Sequence, residues 1–521
     1  MRRIGIDVGG TNTDAVLLEG DRVVHAVKTT TTADVTGGIV AALGELARHR
    51  EVARGGIDGV VIGTTHFVNA VIERRGLARV AAVRIGLPAS ASLPPFCDWP
   101  QDLARHVRGE VFMLAGGHDY DGRPFVPFDE AGMRYAARQI RDSGLSAVAV
   151  SAAFSPLDPA CEERARAILV EECPQAHITL SRDLGRIGLL ERENAALLNA
   201  ALVDLARITI TGFTAAIAAS GITAPLYLTQ NDGTVMQAAA AVALPVASFA
   251  SGATNSMRGA AFLSGLSDAL VVDVGGTSTD LGQLRRGFPR EANSVVEVGG
   301  VRTLFRMPDL ISLGLGGGSL VAREPLALGP RSVGYRLTQE ALVFGGRVLT
   351  ATDAAVAAGR ARIGDPALVA DLPRELAGAV LDLARAKIED AVDRIKTEAA
   401  DLPLVAVGGG AFLVPERMAG VSRVIRVPHG AFANAVGAAI AQVSGEADRI
   451  YRGLTREEAI AAAAAEARMR AAAAGADPAS LETVDIEDMP LAYLPGNALR
   501  VRVRVAGAMR TAQYGSSSVS Q

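Results

Sequence analysis

Residues 6–14 read Ile-Asp-Val-Gly-Gly-Thr-Asn-Thr-Asp, and residues 272–280 read Val-Asp-Val-Gly-Gly-Thr-Ser-Thr-Asp. Seven of the nine positions are identical and the other two pairs are conservative. Asp7 and Asp273 stand 266 residues apart, far too long for a solenoid period, so the repeat signals one domain type used twice. In each copy an apolar run enters the glycines and a second apolar run follows, at residues 15–18 and 281–284, which predicts a β-hairpin with glycines at its turn.

Such a turn suits a polyphosphate. Without Cβ atoms, Gly9-Gly10 and Gly275-Gly276 can reach positive φ and let backbone N–H groups approach phosphate oxygens closely. Thr11, Thr13, Thr277 and Thr279 add hydroxyl donors, and Asn12 and Ser278 complete the two loops. Asp7 and Asp273, at the strand ends, are placed to hold Mg2+ through water, because Mg2+ favours one or two carboxylates together with substrate phosphates. Two such hairpins opposed across a cleft would grip the β and γ phosphates from both sides.

Composition narrows the alternatives. At 521 residues the chain is long enough for about three domains, and 49% apolar with 21% charged residues describes a globular protein. Only Lys28, Lys387 and Lys396 are lysines, and none follows a glycine, which excludes a Walker P-loop. A net charge of -4 without like-charged blocks provides no footprint for nucleic acid or an anionic membrane. Cys97, Cys161 and Cys173 are an odd number without CxxC spacing, which fits a reducing cytoplasm. The start of the chain lacks a signal-peptide pattern, and no uninterrupted apolar run reaches the 18 or so residues that span a bilayer.

The coarse pattern alternates strands and helices, as in α/β layers. Helices are expected over 35–50, 129–143, 192–220 and 373–400, and core strands over 59–63, 147–153, 226–229, 270–273 and 404–407. Residues 87–128, rich in Pro and Gly, are expected to be loops and short strands. Residues 455–474 have strong helix propensity, and 483–494 and 499–505 read as strands. The expected organisation is a lobe over 1–190, a second over 191–445, a small α+β appendage over 446–512 and a disordered tail over 513–521.

The paired turns resemble the phosphate-binding hairpins of the sugar kinase, actin and Hsp70 ATPase superfamily. Within it, several stretches resemble the hydantoinase A and oxoprolinase family: Gly63-Thr64-Thr65-His66-Phe67-Val68-Asn69, Leu190-Glu191-Arg192-Glu193-Asn194-Ala195, Gln230-Asn231-Asp232-Gly233, Ser251-Gly252-Ala253 and Gly314-Leu315-Gly316-Gly317-Gly318-Ser319. The resemblance implies a two-lobed α/β ATPase of the actin-like type with a cleft between lobes, ATP and Mg2+ as cofactors, and Gly408-Gly409-Gly410 on the adenosine side. It implies ATP-dependent hydrolysis of a cyclic amide such as a hydantoin, 5-oxoproline or another lactam, with a hydantoinase B-type second subunit. An ATP-dependent carboxylase subunit, a small-molecule kinase and an ATP-driven regulatory protein are the alternatives, and a homo-oligomer is compatible with all of them.

Several residues admit two readings. Gly316-Gly317-Gly318 form either an anion nest beside the phosphate or substrate, or a hinge. His66 either orients substrate or caps a helix, and Asn231 and Asp232 either contact substrate or make an Asn-Asp-Gly turn. His118, Asp119 and Asp121 read better as turn chemistry than as a metal site. Gly329-Pro330-Arg331-Ser332-Val333-Gly334 matches the family's pattern, but residues 335–344 lack the Pro-Gly-Pro-Ala-Cys-Tyr-Gly run that commonly follows, so the substrate pocket is expected to differ.

Overall fold

The computed structural model describes residues 1–9, 12–30, 35–49, 56–185, 187–292, 295–304, 306–492 and 496–510. Gly10, Thr11 and the tail expected to be disordered lie outside the described residues.

The duplication is real at the level of register. Strand Arg2–Val8 pairs antiparallel with Asn12–Glu19 and parallel with Gly59–Thr64. Strand Ala269–Val274 pairs antiparallel with Thr279–Arg285 and parallel with Leu402–Val407. Asp7 stands opposite Asp14 in the first hairpin, and Asp273 opposite Asp280 in the second. The turns close alike, with Gly9 N donating to Asn12 O at 3.1 Å and Gly275 N to Ser278 O at 2.9 Å. Residues 4–6 of the first inner strand and 269–272 of the second are apolar and buried on both faces up to the aspartate, as expected for strands covered by helices on both sides.

The first hairpin belongs to a nine-stranded sheet and the second to a six-stranded sheet. These sheets divide the chain differently from the expected boundaries. Leu226–Thr229 pairs with Gly59–Thr64, so residues well past 190 complete the first lobe. The presumed appendage continues that same sheet. Strand Gln442–Tyr451 runs parallel to Thr234–Gln237 and carries Leu499–Gly507, which in turn carries Glu482–Pro490. The expected cut at 445 falls inside this strand, because Val443, Gly445 and Ala447 alternate inward too weakly to stand out in an alanine-rich stretch. Helix Arg456–Ala473 covers it with Ala459, Ala463, Ala467 and Ala471, all fully buried, and begins with a Thr455/Glu458 capping box.

A four-stranded parallel sheet, in the order Arg108–Ala115, Val80–Leu87, Ala147–Ala152 and His177–Leu180, forms a further layer within the first lobe. Residues 87–128 therefore contain a full strand and helix Gln101–Val107 besides loops. The long helix Leu189–Ala219 ties this layer to the rest. By length and hydropathy it is the one described helix able to span a bilayer, yet it is a core helix whose first turns are buried. Its Arg-Glu-Asn motif is structural: Arg84 forms a buried ion pair with Glu193, Ser151 donates to Glu193 at 2.6 Å, and Trp99 Nε1 donates to Asn194 Oδ1 at 2.7 Å.

The chain passes between the two sheets through two helices, Ser251–Ser264 and Ala433–Ile440. They cross in direct backbone contact. A Cβ on Gly259 would lie 1.9 Å from Ala433 O, and one on Gly437 would lie 1.8 Å from Asn255 O. Only glycine permits this approach.

Candidate functional site

The two hairpin turns and the N-terminal ends of the crossing helices meet at one cleft. Opposed residues of an antiparallel pair share a face, so Asp7 and Asp14 project together, as do Asp273 and Asp280. The four carboxylates influence one another. Burial, reinforced by Asp14 and Asp273, pushes Asp7 up to about 7, against the Asn434 hydrogen bond and the Lys28 charge. Burial likewise raises Asp273 to about 6, with Asp280 and Asp14 adding to it and Ser256 and Lys28 opposing. Asp14 and Asp280 are also raised by burial, opposed by Lys28 and by Ser312 respectively.

Each crossing helix contributes an amide. Asn434 Nδ2 donates to Asp7 Oδ2 at 3.2 Å. Asn255 Nδ2 donates to Thr229 Oγ1 at 3.1 Å, and its buried Oδ1 has no hydrogen-bond partner among the described residues. Gly63 makes room for this group, since a Cβ there would lie 2.3 Å from Asn255 Nδ2 and 3.1 Å from Asp7 Oδ1. Ser251, at the helix start, bridges Thr64 N and Thr64 O.

Of the residues singled out from sequence, Asp7, Gly9 and Asn12 lie at the first turn, and Asp273, Gly275, Gly276, Thr277 and Ser278 at the second. Thr13 and Thr279 are fully buried, and the Thr279 hydroxyl donates to Leu315 O at 2.7 Å, so Thr277 and Ser278 are the exposed hydroxyls of the second turn. Gly408, Gly409 and Gly410 abut the same turn. Gly410 N donates to Val274 O at 2.7 Å, Gly408 has φ +87°, and a Cβ on Gly408 would lie 2.2 Å from Asp273 Oδ1.

Gly316, Gly317 and Gly318 serve neither of the roles considered for them. Their N–H groups are taken by Ser319 Oγ, Gly275 O and Gly276 O, so they present no anion nest. They are clamped between the second turn and Thr352, which donates twice to Gly317 O, so they are not a loose hinge. Their function is close approach: a Cβ on Gly316 would lie 2.6 Å from both Gly276 C and Thr277 N.

Asn231 and Asp232 are also structural. Asn231 bonds Val246 O and Ala250 N through its two amide ends, and Asp232 accepts from Thr234 and pairs with Arg504 Nη1 at 3.2 Å. That ion pair belongs to a buried network in which Arg504 and Arg502 of the C-terminal strand also meet Glu291. His66 begins helix His66–Glu73, half-buried, with burial lowering its pKa. His118 lies 3.5 Å from Asp158, and the described residues contain no metal-binding cluster of His, Cys, Asp or Glu.

Sequence reading passed over Asp14, Asp280, Lys28, Asn255 and Asn434. Both aspartates end the quoted repeat, so a signal for them was present. Lys28 is identifiable only through its register opposite Asp14, and the two asparagines only through the crossing of their helices.

A duplicated β-hairpin sheet, two crossing helices and a carboxylate-lined cleft between the repeats define the two-lobed actin-like fold. Family models of the hydantoinase/oxoprolinase N-terminal region and of hydantoinase/oxoprolinase match residues 3–173 and 192–365. The chain belongs to the hydantoinase/oxoprolinase family. It is 26% identical over 416 residues to the caprolactamase subunit alpha of Pseudomonas jessenii, covering 74% of this chain and 58% of that protein. It is 28% identical over 399 residues to the acetophenone carboxylase gamma subunit of Aromatoleum aromaticum, covering 68% and 53%. The chain thus spans little more than half the length of these relatives. Among solved structures, the ATP-dependent caprolactamase of Pseudomonas jessenii superposes with TM-score 0.76 at 20% identity, covering 97% of this chain and 87% of that one. Nucleotide-free acetone carboxylase superposes with TM-score 0.68 at 17% identity, covering 98% and 89%.

Proposed function

We propose that the chain binds ATP-Mg2+ between its two turns and uses it to open a cyclic amide, as the nucleotide-binding subunit of a two-component enzyme. The observation that carries this reading is the pair of Asp-Val-Gly-Gly turns in equivalent hairpin registers, with Asp7 and Asp273 buried at their strand ends and within electrostatic range of each other. Gly9 N and Gly275 N are spent on closing the turns, so the phosphate oxygens are taken by the exposed residues beyond them, Asn12, Gly276, Thr277 and Ser278, and Gly408–Gly410 receives the adenosine side.

The donor set fits Mg2+. It consists of hard carboxylate oxygens without cysteine or histidine, and the Asn255 amide, whose buried Oδ1 has no partner among the described residues, packs against Gly63 as Asp7 does. Asp7 and Asp273 would hold the ion, which would supply charge neutralisation at the phosphates when bound.

The γ-phosphoryl group passes to the amide oxygen, forming an O–P bond and breaking the bond to the β phosphate, with ADP released. Water adds to the activated carbon, the C–N bond opens, and inorganic phosphate leaves. An amide carbonyl is a poor electrophile, and its O-phosphorylated form is a much better one. The relation to caprolactamase supports a lactam substrate and a second subunit. The relation to acetophenone carboxylase supports a second reading, in which the same site phosphorylates an enol or bicarbonate.

One experiment separates them: ADP and phosphate release is measured over a panel of lactams and hydantoins, and over ketones with bicarbonate, each with and without a co-purified second subunit. Lactam-stimulated release that Asp7→Ala and Asp273→Ala abolish supports the first reading. Bicarbonate-dependent release supports the second, and a stable phosphorylated product would assign a kinase.

A further inference from the structure

The two copies of the phosphate turn agree in sequence and register, but they differ in what faces the terminal aspartate of each repeat. In the second copy, strand Leu310–Leu313 places Ser312 opposite Asp280, and the Ser312 hydroxyl donates to Asp280 at 2.5 Å. In the first copy, strand Arg22–Thr30 places Lys28 opposite Asp14. Its ammonium bonds both Asp14 oxygens, at 2.5 and 2.6 Å. The duplication therefore becomes asymmetric at a single register position, a hydroxyl on one side and a cation on the other.

The place of this cation is specific. Lys28, Asp14 and Asp7 lie side by side on three adjacent strands, so all three side chains share the face that carries the cleft. Lys28 acts electrostatically on both Asp7 and Asp273, so its charge lies within range of both turns. Its side chain is 37% exposed, whereas that of Asp14 is 12% exposed, so the ammonium is at the open end of the pair. The Phe432 ring, 5.4 Å from Nζ, backs it from the side of the crossing helix. An ammonium has three donors, and among the described residues Asp14 takes two of them.

We propose that Lys28 is the side-chain cation that recognises the terminal phosphate of the nucleotide, with Asp14 holding it in position. This rests on the ATP reading above. The chain lacks a P-loop lysine, and Lys28 supplies the same point charge from a neighbouring strand, reaching the γ phosphate with its third donor. Asp14 acts as a positioning residue, because a carboxylate that grips two N–H groups fixes the ammonium at the edge of the first turn. Ser312 cannot do this on the second side, so the terminal phosphate is drawn towards the first lobe.

The test is nucleotide discrimination. Dissociation constants for a non-hydrolysable ATP analogue and for ADP, each with Mg2+, are measured by calorimetry for wild type, Lys28→Met, Lys28→Arg and Asp14→Asn, with thermal unfolding as a check on folding. Lys28→Met is expected to weaken the ATP analogue at least tenfold while ADP changes less than twofold, and Lys28→Arg to retain most of the discrimination. Asp14→Asn is expected to lose part of it. Equal weakening of both nucleotides, or none, in a folded Lys28→Met protein overturns the assignment and leaves Lys28 as a structural partner of Asp14. Should Lys28→Met not fold, loss of discrimination in folded Asp14→Asn supports the proposal and full discrimination there overturns it. Wild type that binds neither nucleotide overturns the ATP reading itself, a distinguishable result.

Discussion

Asp7→Asn is expected to stabilise the ligand-free protein, and to do so more strongly as the pH rises. Asp7 is 8% exposed, and burial with Asp14 beside it pushes the carboxyl up to about 7 from an ordinary 3.8. The folded state therefore keeps a proton that the unfolded chain has lost. A carboxyl raised in this way gives its full relative stability below the unfolded value. That contribution drains away as the pH climbs to the folded value and levels off above it. A difference of this size corresponds to about 4 kcal/mol once both states are ionised. Between pH 5.5 and 8.5 the wild-type protein should lose roughly 2 kcal/mol from this group alone. Asparagine keeps an acceptor for Asn434 Nδ2 and carries no charge, so it escapes the loss. The assay is urea unfolding followed by circular dichroism at the two pH values, in chelator-containing buffer so that no cation compensates the carboxylates. A gain that is equal at both pH values, or that shrinks as the pH rises, would refute the reasoning. On the proposed function, the same substitution should abolish ATP turnover, because the charge that is unfavourable in the ligand-free protein is the one that would hold Mg2+.

Gly437→Ala should cost several kcal/mol or prevent folding, since its Cβ would lie 1.8 Å from Asn255 O. Gly378→Ala, in helix Arg374–Ile395 with open space around the new methyl, should raise the thermal midpoint by an amount equivalent to about 0.5–1 kcal/mol. Gly316→Ala should leave a folded protein with nucleotide affinity reduced at least tenfold, as calorimetry would show, because the added carbon displaces the backbone of Gly276 and Thr277. Arg84→Met should destabilise by about 3–5 kcal/mol by leaving Glu193 buried without its partner, and the double change Arg84→Met with Glu193→Leu should recover much of that in urea titrations.

The repeat at 6–14 and 272–280 was enough to read the duplicated fold and the two turns, because a tight turn between strands is a local feature with its own residues. The long helices were legible for a similar reason: helix Glu130–Asp142 begins at Asp129, whose side chain accepts from Gly132 N, and helix Arg456–Ala473 begins with a capping box. What local pattern could not reveal was membership of a sheet. Leu226–Thr229 reads as a strand whichever lobe it joins, and its pairing with Gly59–Thr64 is decided some 160 residues away. Gly316–Gly318 was misleading for a related reason. Three glycines look like an anion nest until the partners of their N–H groups are known, and Gly275 O and Gly276 O lie forty residues upstream.

Asn255 and Asn434 show most clearly how packing reaches the site. Both project from the crossing helices, and Asn434 reaches Asp7 at 3.2 Å only because helix Ala433–Ile440 lies directly on the first strand. That contact requires Gly5, where a Cβ would meet Ala435 O at 2.0 Å, and the crossing itself requires Gly259 and Gly437. Any of these residues with a side chain would move the helix away by more than a hydrogen bond tolerates, and Asn434 would lose Asp7. The glycines far from the turns thus serve the same chemistry as the glycines in them. The turn glycines shape the two hairpin ends, and the packing glycines bring an amide down to the carboxylate that faces it. Rotation of one lobe against the other must pass through these two helices, so it would change the Asn434 to Asp7 distance directly. Any such rotation would therefore alter the hydrogen bond that opposes the raised pKa of Asp7.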